Sequence, residues 1–484
     1  MREEALDVLI VGAGPVGLFL ASECARRGLR HCLIEAAARQ SEHSKALAIF
    51  PRTLEIFDMA GLVDPFLAAA NRVNSIAVIA HQRRLADMRF APEESPYPFI
   101  AMVPQDVTER LLLEALERAG GAVDYRTEFL SAEPAADRVI VNARRRGEPC
   151  RFEASYVVGC DGAHSAVRAA IGLTFEGGAY EDSFMLADVD TNETLPANQM
   201  QLCPNESGPV AIFPMGRTRR RVVGTVADRS GEAPSLELVQ RMLRERGPDG
   251  LEARALHWSS YFRIHHRQTA RLQSGRLFVA GDAAHIHSPF GGQGMNTGLQ
   301  DVWNLVWKLE LAVRGRAAGS LLDSYTAERR PVIREVLETT DLLTKAMATP
   351  SKLAQVLRDT LIPAVSHLAP FQHALATRLS GLGIGYHGSP IVEGPGKRYF
   401  SELVRGGASS SSRFLLVGAA REDADPGARQ QLVERFRGLV ETRSERRDDL
   451  VLVRPDGYVA LASGHRKEAA VLASMHALLE RQIR

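Results

Sequence analysis

The chain has 484 residues, 45% of them hydrophobic, 24% charged and 6% aromatic, which describes an ordinary globular protein with ample material for a buried core. Its 59 Lys and Arg against 58 Asp and Glu leave a net charge of +1, which excludes the broad basic field that nucleic-acid binding needs. The five cysteines (Cys24, Cys32, Cys150, Cys160, Cys203) contain no CxxC pair, which argues against a disulfide framework or a zinc ribbon and suits a reducing cytoplasm. The most apolar stretch, Val8 to Ala21, is interrupted by Gly12, Gly14, Pro15 and Gly17 and falls short of the ~20 residues a bilayer span requires. Met1-Arg-Glu-Glu lacks the basic flank of a signal peptide. These features predict a cytoplasmic protein with a small-molecule partner, no nucleic acid and no membrane.

Leu6 to Val11 (LDVLIV) predicts a parallel strand buried on both faces. Gly12-Ala13-Gly14-Pro15-Val16-Gly17 follows at once, then helical spacing to Arg27, then a second apolar run ending at Glu35. Gly12 permits the tight turn, Gly14 lets backbone approach a pyrophosphate, and Gly17 lets helix and strand pack closely. Phosphates would sit on the free N–H groups of the helix start, with Glu35 accepting from ribose hydroxyls. A glycine pattern alone is weak; one flanked by strand, helix and acid predicts dinucleotide binding, with NAD or FAD favoured over NADP by the acid.

Two later segments separate these cofactors. Tyr156 to Arg168 (YVVGCDGAHSAVR) reads as strand, polar turn and helix, with Asp161-Gly162 in the turn; alone it is also an ordinary strand-to-helix connection. Gly275 to Asn296 carries a strand into Gly281-Asp282, then a glycine-rich loop with Pro289, Gly292 and Gly294, then a helix predicted from about Asn296 to Val313. That helix start offers positive potential to the edge of a reduced flavin. A nicotinamide dehydrogenase would not need this second cradle, so the three segments point to FAD.

The chain thereby resembles the single-component FAD-dependent aromatic hydroxylases of the para-hydroxybenzoate hydroxylase fold, nearest the phenol hydroxylase and aromatic-polyketide hydroxylase branch. The carriers are GAGPVG (Gly12 to Gly17), CDGAHSAVR (Cys160 to Arg168) and GDAAHIHSPFGGQGMN (Gly281 to Asn296), supported by Ser44-Lys45-Ala46, Val103-Pro-Gln105 and Tyr325-Thr-Ala-Glu328-Arg-Arg-Pro331. The resemblance implies Glu35 on the adenosine ribose, and Lys45, Ala46 and Gln105 on the phosphate or ribitol side. It implies Asp282 on the ribitol, and Pro289, Gly292, Gly294 and the amides of Met295 and Asn296 beside the isoalloxazine ring. Asp161 and Arg168 belong to a motif linked to FAD and to the reducing nicotinamide. Two departures are Ala36, where a basic residue is common, and Lys45, where Arg is commoner.

The implied reaction consumes NADPH or NADH and O2 and hydroxylates a phenolic or polycyclic polyketide-like aromatic substrate through a flavin C4a-hydroperoxide, as in antibiotic biosynthesis. Baeyer–Villiger oxidation, epoxidation and dehydrogenation use the same scaffold. No side-chain base is located, and Pro289 is the flavin-adjacent residue of the reacting centre. A homodimer is compatible with the family.

The expected fold is α/β: a Rossmann-like FAD-binding domain interleaved with a mostly β substrate domain, plus a C-terminal thioredoxin-like domain. The expected boundaries are 1–75, 100–175 and 270–393 for the FAD domain with a helical extension, 76–99 and 176–269 for the substrate sheet, and 394–484 for the tail without CxxC. Phe213, Met215, Tyr261 and Phe262 could line the substrate pocket, although core packing is the default role for each. His265, His266, His285 and His287 lack a convergent ligand set, so no metal is expected. Trp303 and Trp307, four apart on a helix, read as packing. Met347 to Leu382 reads as helix broken by prolines, Gly406 to Ser412 as a mobile linker, 428–440 as a helix, and RSERRDD (Arg443 to Asp449) as a solvated face.

Overall fold

The computed structural model describes residues 5–41, 44–192, 195–226, 233–288, 291–347, 363–364, 366, 368–407, 412–418, 426–445, 447, 449–464 and 466–483. Leu6–Val11 forms a strand that pairs in parallel with His31–Glu35 on one side and Glu148–Gly159 on the other. Leu277–Val279 and Val123–Tyr125 extend the parallel set at its two ends. Helix Pro15–Arg26 begins with proline, whose missing N–H costs nothing in a first turn, and buries Leu18, Phe19, Leu20 and Ala21. Five parallel strands necessarily end along one edge. The turns after Val11, Gly159 and Val279 and the tip at Glu35 therefore share that edge, where open α/β sheets bind ligands.

A second sheet of eight strands runs in the order His285–Ile286, Ala253–Thr269, Phe175–Thr191, Arg219–Val226, Val210–Pro214, Gln199–Cys203, Ser75–Ala80 and Arg83–Arg89. Its pairs are antiparallel except for Gln199–Cys203 beside Ser75–Ala80. Alternation gives it two distinct faces. One carries Met185, Ala187, Ile212 and Val222 and packs against helix Leu236–Arg246 through Val239, Met242 and Leu243. The other carries Ile76, Val78, Met200 and Phe213 and packs against Leu47 and Phe50 of the first unit and Leu375 and Leu379 of helix Ala369–Ser380. The edge strand His285–Ile286 belongs to the glycine-rich loop, so that loop is itself hydrogen-bonded into the second sheet.

The C-terminal residues form a small sheet in the order Val440–Arg443, Phe414–Val417, Val451–Val453, Val459–Ala462, the first pair parallel and the others antiparallel. Helices Pro426–Arg435 and Glu468–Gln482 accompany it. This is the small α/β unit expected there; its kinship with thioredoxin-like folds rests on the resemblance. Trp307 and Leu311 of helix Gly294–Val313 enter its core, Trp307 meeting Phe414 edge-on at 5.7 Å. Fully buried Arg454 pairs with Glu328 and Asp456, and Lys308 with Glu328 at 2.8 Å.

Two local expectations are corrected, and a third falls largely outside the described residues. The helix placed over 428–440 ends at Arg435, because Val440–Arg443 is drawn out as a strand beside Phe414–Val417. Of the segment expected to be a mobile linker, residues 408–411 lie outside the described residues, and its last residue, Ser412, is buried and bonded to Arg27 at 2.8 Å and to Glu310. The charged run is not simply solvated, since Glu445 accepts from Tyr399 Oη at 2.8 Å and Arg447 lies over the Tyr399 ring. Of the broken helix over Met347 to Leu382, the structure describes its first residue, as the end of helix Gly319–Met347, and helix Ala369–Ser380; most of what lies between falls outside the described residues.

Candidate active site

The glycine turn is built by close approach. Gly12 has φ +100°, and a Cβ built on it would stand 2.6 Å from the carbonyl oxygen of Cys160. A Cβ on Gly17 would stand 1.9 Å from the Gly12 carbonyl, whereas one on Gly14 would meet nothing within 4 Å. The first and third glycines thus pack backbone on backbone, and the middle one leaves open space at the helix start. Ala13 N–H donates to Glu35 at 2.8 Å, as does Ala37 N–H from the other side. Glu35 therefore fixes the turn, and its carboxylate, which can accept about four hydrogen bonds, retains capacity for ribose hydroxyls.

The second and third motifs close on the first. Asp161 accepts from Ser165 Oγ at 2.6 Å and from Val167 N–H at 3.1 Å, capping its own short helix. Arg168 donates to Ala283 O at 3.0 Å and to Ala163 O at 2.8 Å, with its guanidinium over Phe175, and so ties the second motif to the third. Val16 packs on both Gly281 and Gly298, where added Cβ atoms would stand 3.0 and 2.7 Å from it. Gly281 has φ +58° and turns the chain so that Asp282 is exposed. Although accessible, Asp282 is enclosed by protein on most sides, and this desolvation raises its carboxyl while His285 and Lys45 pull it down.

Lys45 and Ala46 face this group from another side. Their carbonyls accept from Arg221 at 2.9 and 3.1 Å, and Arg221 is held by Asp188 through bonds of 2.7 and 2.9 Å. The second sheet thus places the Lys45 segment. Ala46 N–H donates to Gln105 Oε1 at 3.0 Å, and Gln105 Nε2 donates to Glu109 at 2.9 Å. Burial pushes the Glu109 carboxyl up to about 7.

Helix Gly294–Val313 begins two residues earlier than expected. Its first N–H groups, including those of Met295 and Asn296, have no intrahelical partner. The Asn296 side chain is fully buried and occupied elsewhere, accepting from Phe50 N–H at 2.9 Å and donating to Ala48 O at 2.8 Å and Gly292 O at 3.0 Å. It sets the Gly292 turn, whose φ is +62°, against Phe50. Pro289 lies outside the described residues.

One residue outside every motif, Asp301, matters here. Asp301 accepts from Gly281 N–H at 3.2 Å, His285 Nε2 at 2.7 Å and Arg329 Nε at 2.7 Å. Its position among Leu299, Val302 and Leu305, an acid within an apolar helix, is the signal that could have found it. His287 donates from Nδ1 to Ser288 O at 2.9 Å, and its buried Nε2 has no partner among the described residues. Burial lowers His287 to about 4, so it is neutral at neutral pH.

The four candidate pocket residues do not converge. Phe213 and Met215 join the face turned toward Leu47 and Phe50, and Phe262 pairs with Phe184 and stacks on it at 5.8 Å. Tyr261 pairs with Met185 and packs in the cluster under helix Leu236–Arg246, the opposite face. The cause is the two-residue period of a strand, which sends neighbours to opposite sides. Among the described residues there is no group of three or more His, Cys, Asp or Glu that could hold a metal, and no helix long and apolar enough to cross a membrane.

These features fit FAD on the chain's own geometry: open space at Gly14, free helix N-termini, an exposed acid beyond the third strand and a lysine facing it. A family model described as FAD binding domain matches residues 5–340. The chain belongs to this family. It is 36% identical over 403 residues to a 6-methylpretetramide 4-monooxygenase of Streptomyces rimosus, covering 81% of this chain and 72% of that protein. It is 31% identical over 476 residues to a rifampicin monooxygenase of Streptomyces venezuelae, covering 96% of each. Among solved structures, the anhydrotetracycline hydroxylase OxyS of Streptomyces rimosus superposes with a TM-score of 0.80 at 30% identity, covering 99% of both chains. The protein is a FAD-dependent monooxygenase with the para-hydroxybenzoate hydroxylase type of fold.

Proposed function

We propose that the protein uses NAD(P)H and O2 to hydroxylate a phenolic or polycyclic, polyketide-like aromatic substrate. The observation that carries this reading is the meeting of Gly12, Asp161 and Gly281–Asp282 at one sheet edge, with Lys45 delivered to the same place by the second sheet. Bound FAD supplies the electron transfer and oxygen activation. The chain's residues hold, orient and shield. In this reading the turn at Gly14 takes the pyrophosphate, Glu35 the adenosine ribose, and Asp282 the ribitol hydroxyls, with Lys45 and Gln105 on the phosphate and ribitol side. The amides of Met295 and Asn296 present positive potential to the ring edge where negative charge develops. Asp301, with His285 and Arg329, holds the loop so that this potential is preorganised. Leu47, Phe50, Phe213 and Met215 supply the apolar surround that keeps water from the reacting centre. Asp161 and Arg168 brace the motif linked to the reductant.

Reading the sheet face as the substrate's wall assigns Phe262 and Phe184 to its far end and excludes Tyr261. Relatives acting on 6-methylpretetramide, anhydrotetracycline and rifampicin support a polycyclic substrate, as in antibiotic biosynthesis. The test is NADPH and NADH consumption over a panel of phenols and polyketides, with mass analysis of each product. Substrate-stimulated oxidation with gain of one oxygen is expected. A yellow protein whose reductant consumption no aromatic compound changes would overturn the hydroxylase reading, and an oxidised product without added oxygen would redirect it to dehydrogenation.

A further inference from the structure

Helix Pro51–Met59 carries Arg52, Glu55 and Asp58, none of them more than 4% exposed. Buried charges survive only as partners, and most of these partners come from the last ninety residues of the chain. Arg398 donates to Glu55 at 3.0 Å, and Asp58 accepts from Arg405 at 2.7 Å and from Tyr97 Oη at 2.6 Å. Arg52 donates to the carbonyl oxygen of Asp456 at 3.1 Å, with its guanidinium over the Tyr458 ring at 4.7 Å.

Asp456 lies in the turn Arg454–Tyr458, between strands Val451–Val453 and Val459–Ala462. Arg454 holds the Asp456 carboxylate through bonds of 2.6 and 3.1 Å. Gly457 has φ +76°, and a Cβ built on it would stand 2.6 Å from Met59 Cε, so the turn is pressed against the helix. The Asp456 carbonyl oxygen that takes Arg52 also accepts from Trp303 Nε1 at 3.1 Å. A carbonyl oxygen has two lone pairs, so both bonds are made at once. One atom of the C-terminal unit thereby joins helix Pro51–Met59 to helix Gly294–Val313.

Those two helices are already joined once, by Asn296, which accepts from Phe50 N–H at 2.9 Å and donates to Ala48 O at 2.8 Å. Asn296 and Trp303 are two turns apart, roughly 10 Å along the helix. A single join leaves a pivot, and a second one at that distance fixes the angle between the helices. That angle sets the segment leading into the first helix, with Lys45 and Ala46, against the amides that begin the second.

We propose that the turn Arg454–Tyr458 is a positioning element of the flavin site, locking these two helices together through the Asp456 carbonyl oxygen. It acts through Arg52 and Trp303. The inference rests on the reading above that the flavin edge meets the start of helix Gly294–Val313. Binding groups must be held within about 0.5 Å of their working geometry, and a shift of about 1 Å far from the chemistry is costly. Reduced FAD, whose ring edge is negative, depends on the positive helix start more than oxidised FAD does. Loosening the lock therefore costs the reduced cofactor more.

The test uses the full chain, stripped of FAD and titrated back, with the flavin midpoint potential and urea unfolding measured beside it. Trp303→Phe removes one donor to Asp456 O while keeping a ring against Phe19, and Arg52→Met removes the other. Gly457→Ala displaces the same oxygen from the side of the turn. Met475→Ala, in the buried core of the C-terminal unit, is the control for lost stability alone. Each of the first three variants should weaken oxidised FAD about fivefold or more, and the control by less than about twofold, although it is no more stable than Trp303→Phe. In the same three, reduced FAD should lose about threefold more than oxidised FAD, which makes the two-electron midpoint about 14 mV more negative. Trp303→Phe is the mildest change and decides the matter if the other two fail to fold. Affinities that fall no further than in Met475→Ala overturn the lock. Equal losses for oxidised and reduced FAD, absent from the control, leave the lock standing and remove the placing of the flavin edge at the helix start.

Discussion

Asp301 accepts the Nε2 proton of His285 across 2.7 Å, with both side chains buried away from solvent. The same carboxylate receives Gly281 N–H and Arg329, so one acid in the middle of a helix holds the turn that presents Asp282 and the loop that follows it. Burial opposes its charge, but Arg329 and His285 outweigh that and keep the carboxyl below the usual carboxylate range. Removing one member of a buried pair strands the other.

Asp301→Ala should therefore destabilise the protein by about 3–5 kcal/mol, measured by urea unfolding. Asp301→Asn, which keeps the shape and one acceptor, should cost less but still lower FAD retention. A folded, fully flavinylated Asp301→Ala protein would show that the network is dispensable.

The second and third glycines of the turn should part company. Gly17→Ala puts a methyl 1.9 Å from the Gly12 carbonyl and should cost about 3 kcal/mol or more, because backbone cannot move aside cheaply. Gly14→Ala meets nothing within 4 Å in extended backbone, so its melting temperature should stay within about 2 °C of wild type. Its FAD retention should nevertheless fall at least tenfold, since the methyl occupies the approach to the pyrophosphate.

Asp282 should trade stability for cofactor. Its carboxyl is raised by enclosure, so the ionised form is a cost to the folded chain that appears as pH rises above the ordinary carboxylate range and persists at neutral pH. FAD-free Asp282→Asn should therefore melt higher than FAD-free wild type at neutral pH, while Asp282→Ala and Asp282→Asn both retain less flavin. Unchanged flavin content in purified Asp282→Ala would count against its ribitol role.

Glu109 gives a sharper pH signature. Its folded value of about 7 exceeds the usual 4.5, so the folded state holds the proton longer and stability declines as pH rises between those values. Glu109→Gln removes the penalty and should gain about 1–2 kcal/mol at pH 8 and nothing at pH 4. Parallel stability–pH curves for the two proteins would refute the shift.

Glu328 should be the strongest anchor of the C-terminal unit. Burial disfavours its charge, yet Arg454 and Lys308 hold the carboxyl well below its usual range, so its contribution persists until pH falls through that depressed value. Glu328→Gln should cost about 3–5 kcal/mol by leaving two buried cations short of an anion. Lys308→Met should cost less than half as much, because Arg454 still meets Glu328 through two bonds.

The sequence determined what local chemistry dictates. Three strand–turn segments, their glycines and the acids Glu35, Asp161 and Asp282 were legible because backbone approach and strand ends leave composition signals at fixed spacing. The start of helix Gly294–Val313, the end of helix Pro426–Arg435 and the anchoring of Ser412 were not, since neighbours in space decide them: strand Phe414–Val417 draws out Val440–Arg443, and Arg27 captures Ser412. Tyr261 and Phe262 look alike in a row of letters, and only strand register sends one to the helix-covered face and the other beside Phe184. Asp301 with Arg329, Asp188 with Arg221 and Glu328 with Arg454 join residues 28 to 126 positions apart. Such pairings carry no local pattern, because charges are brought together by packing and then survive burial only as partners.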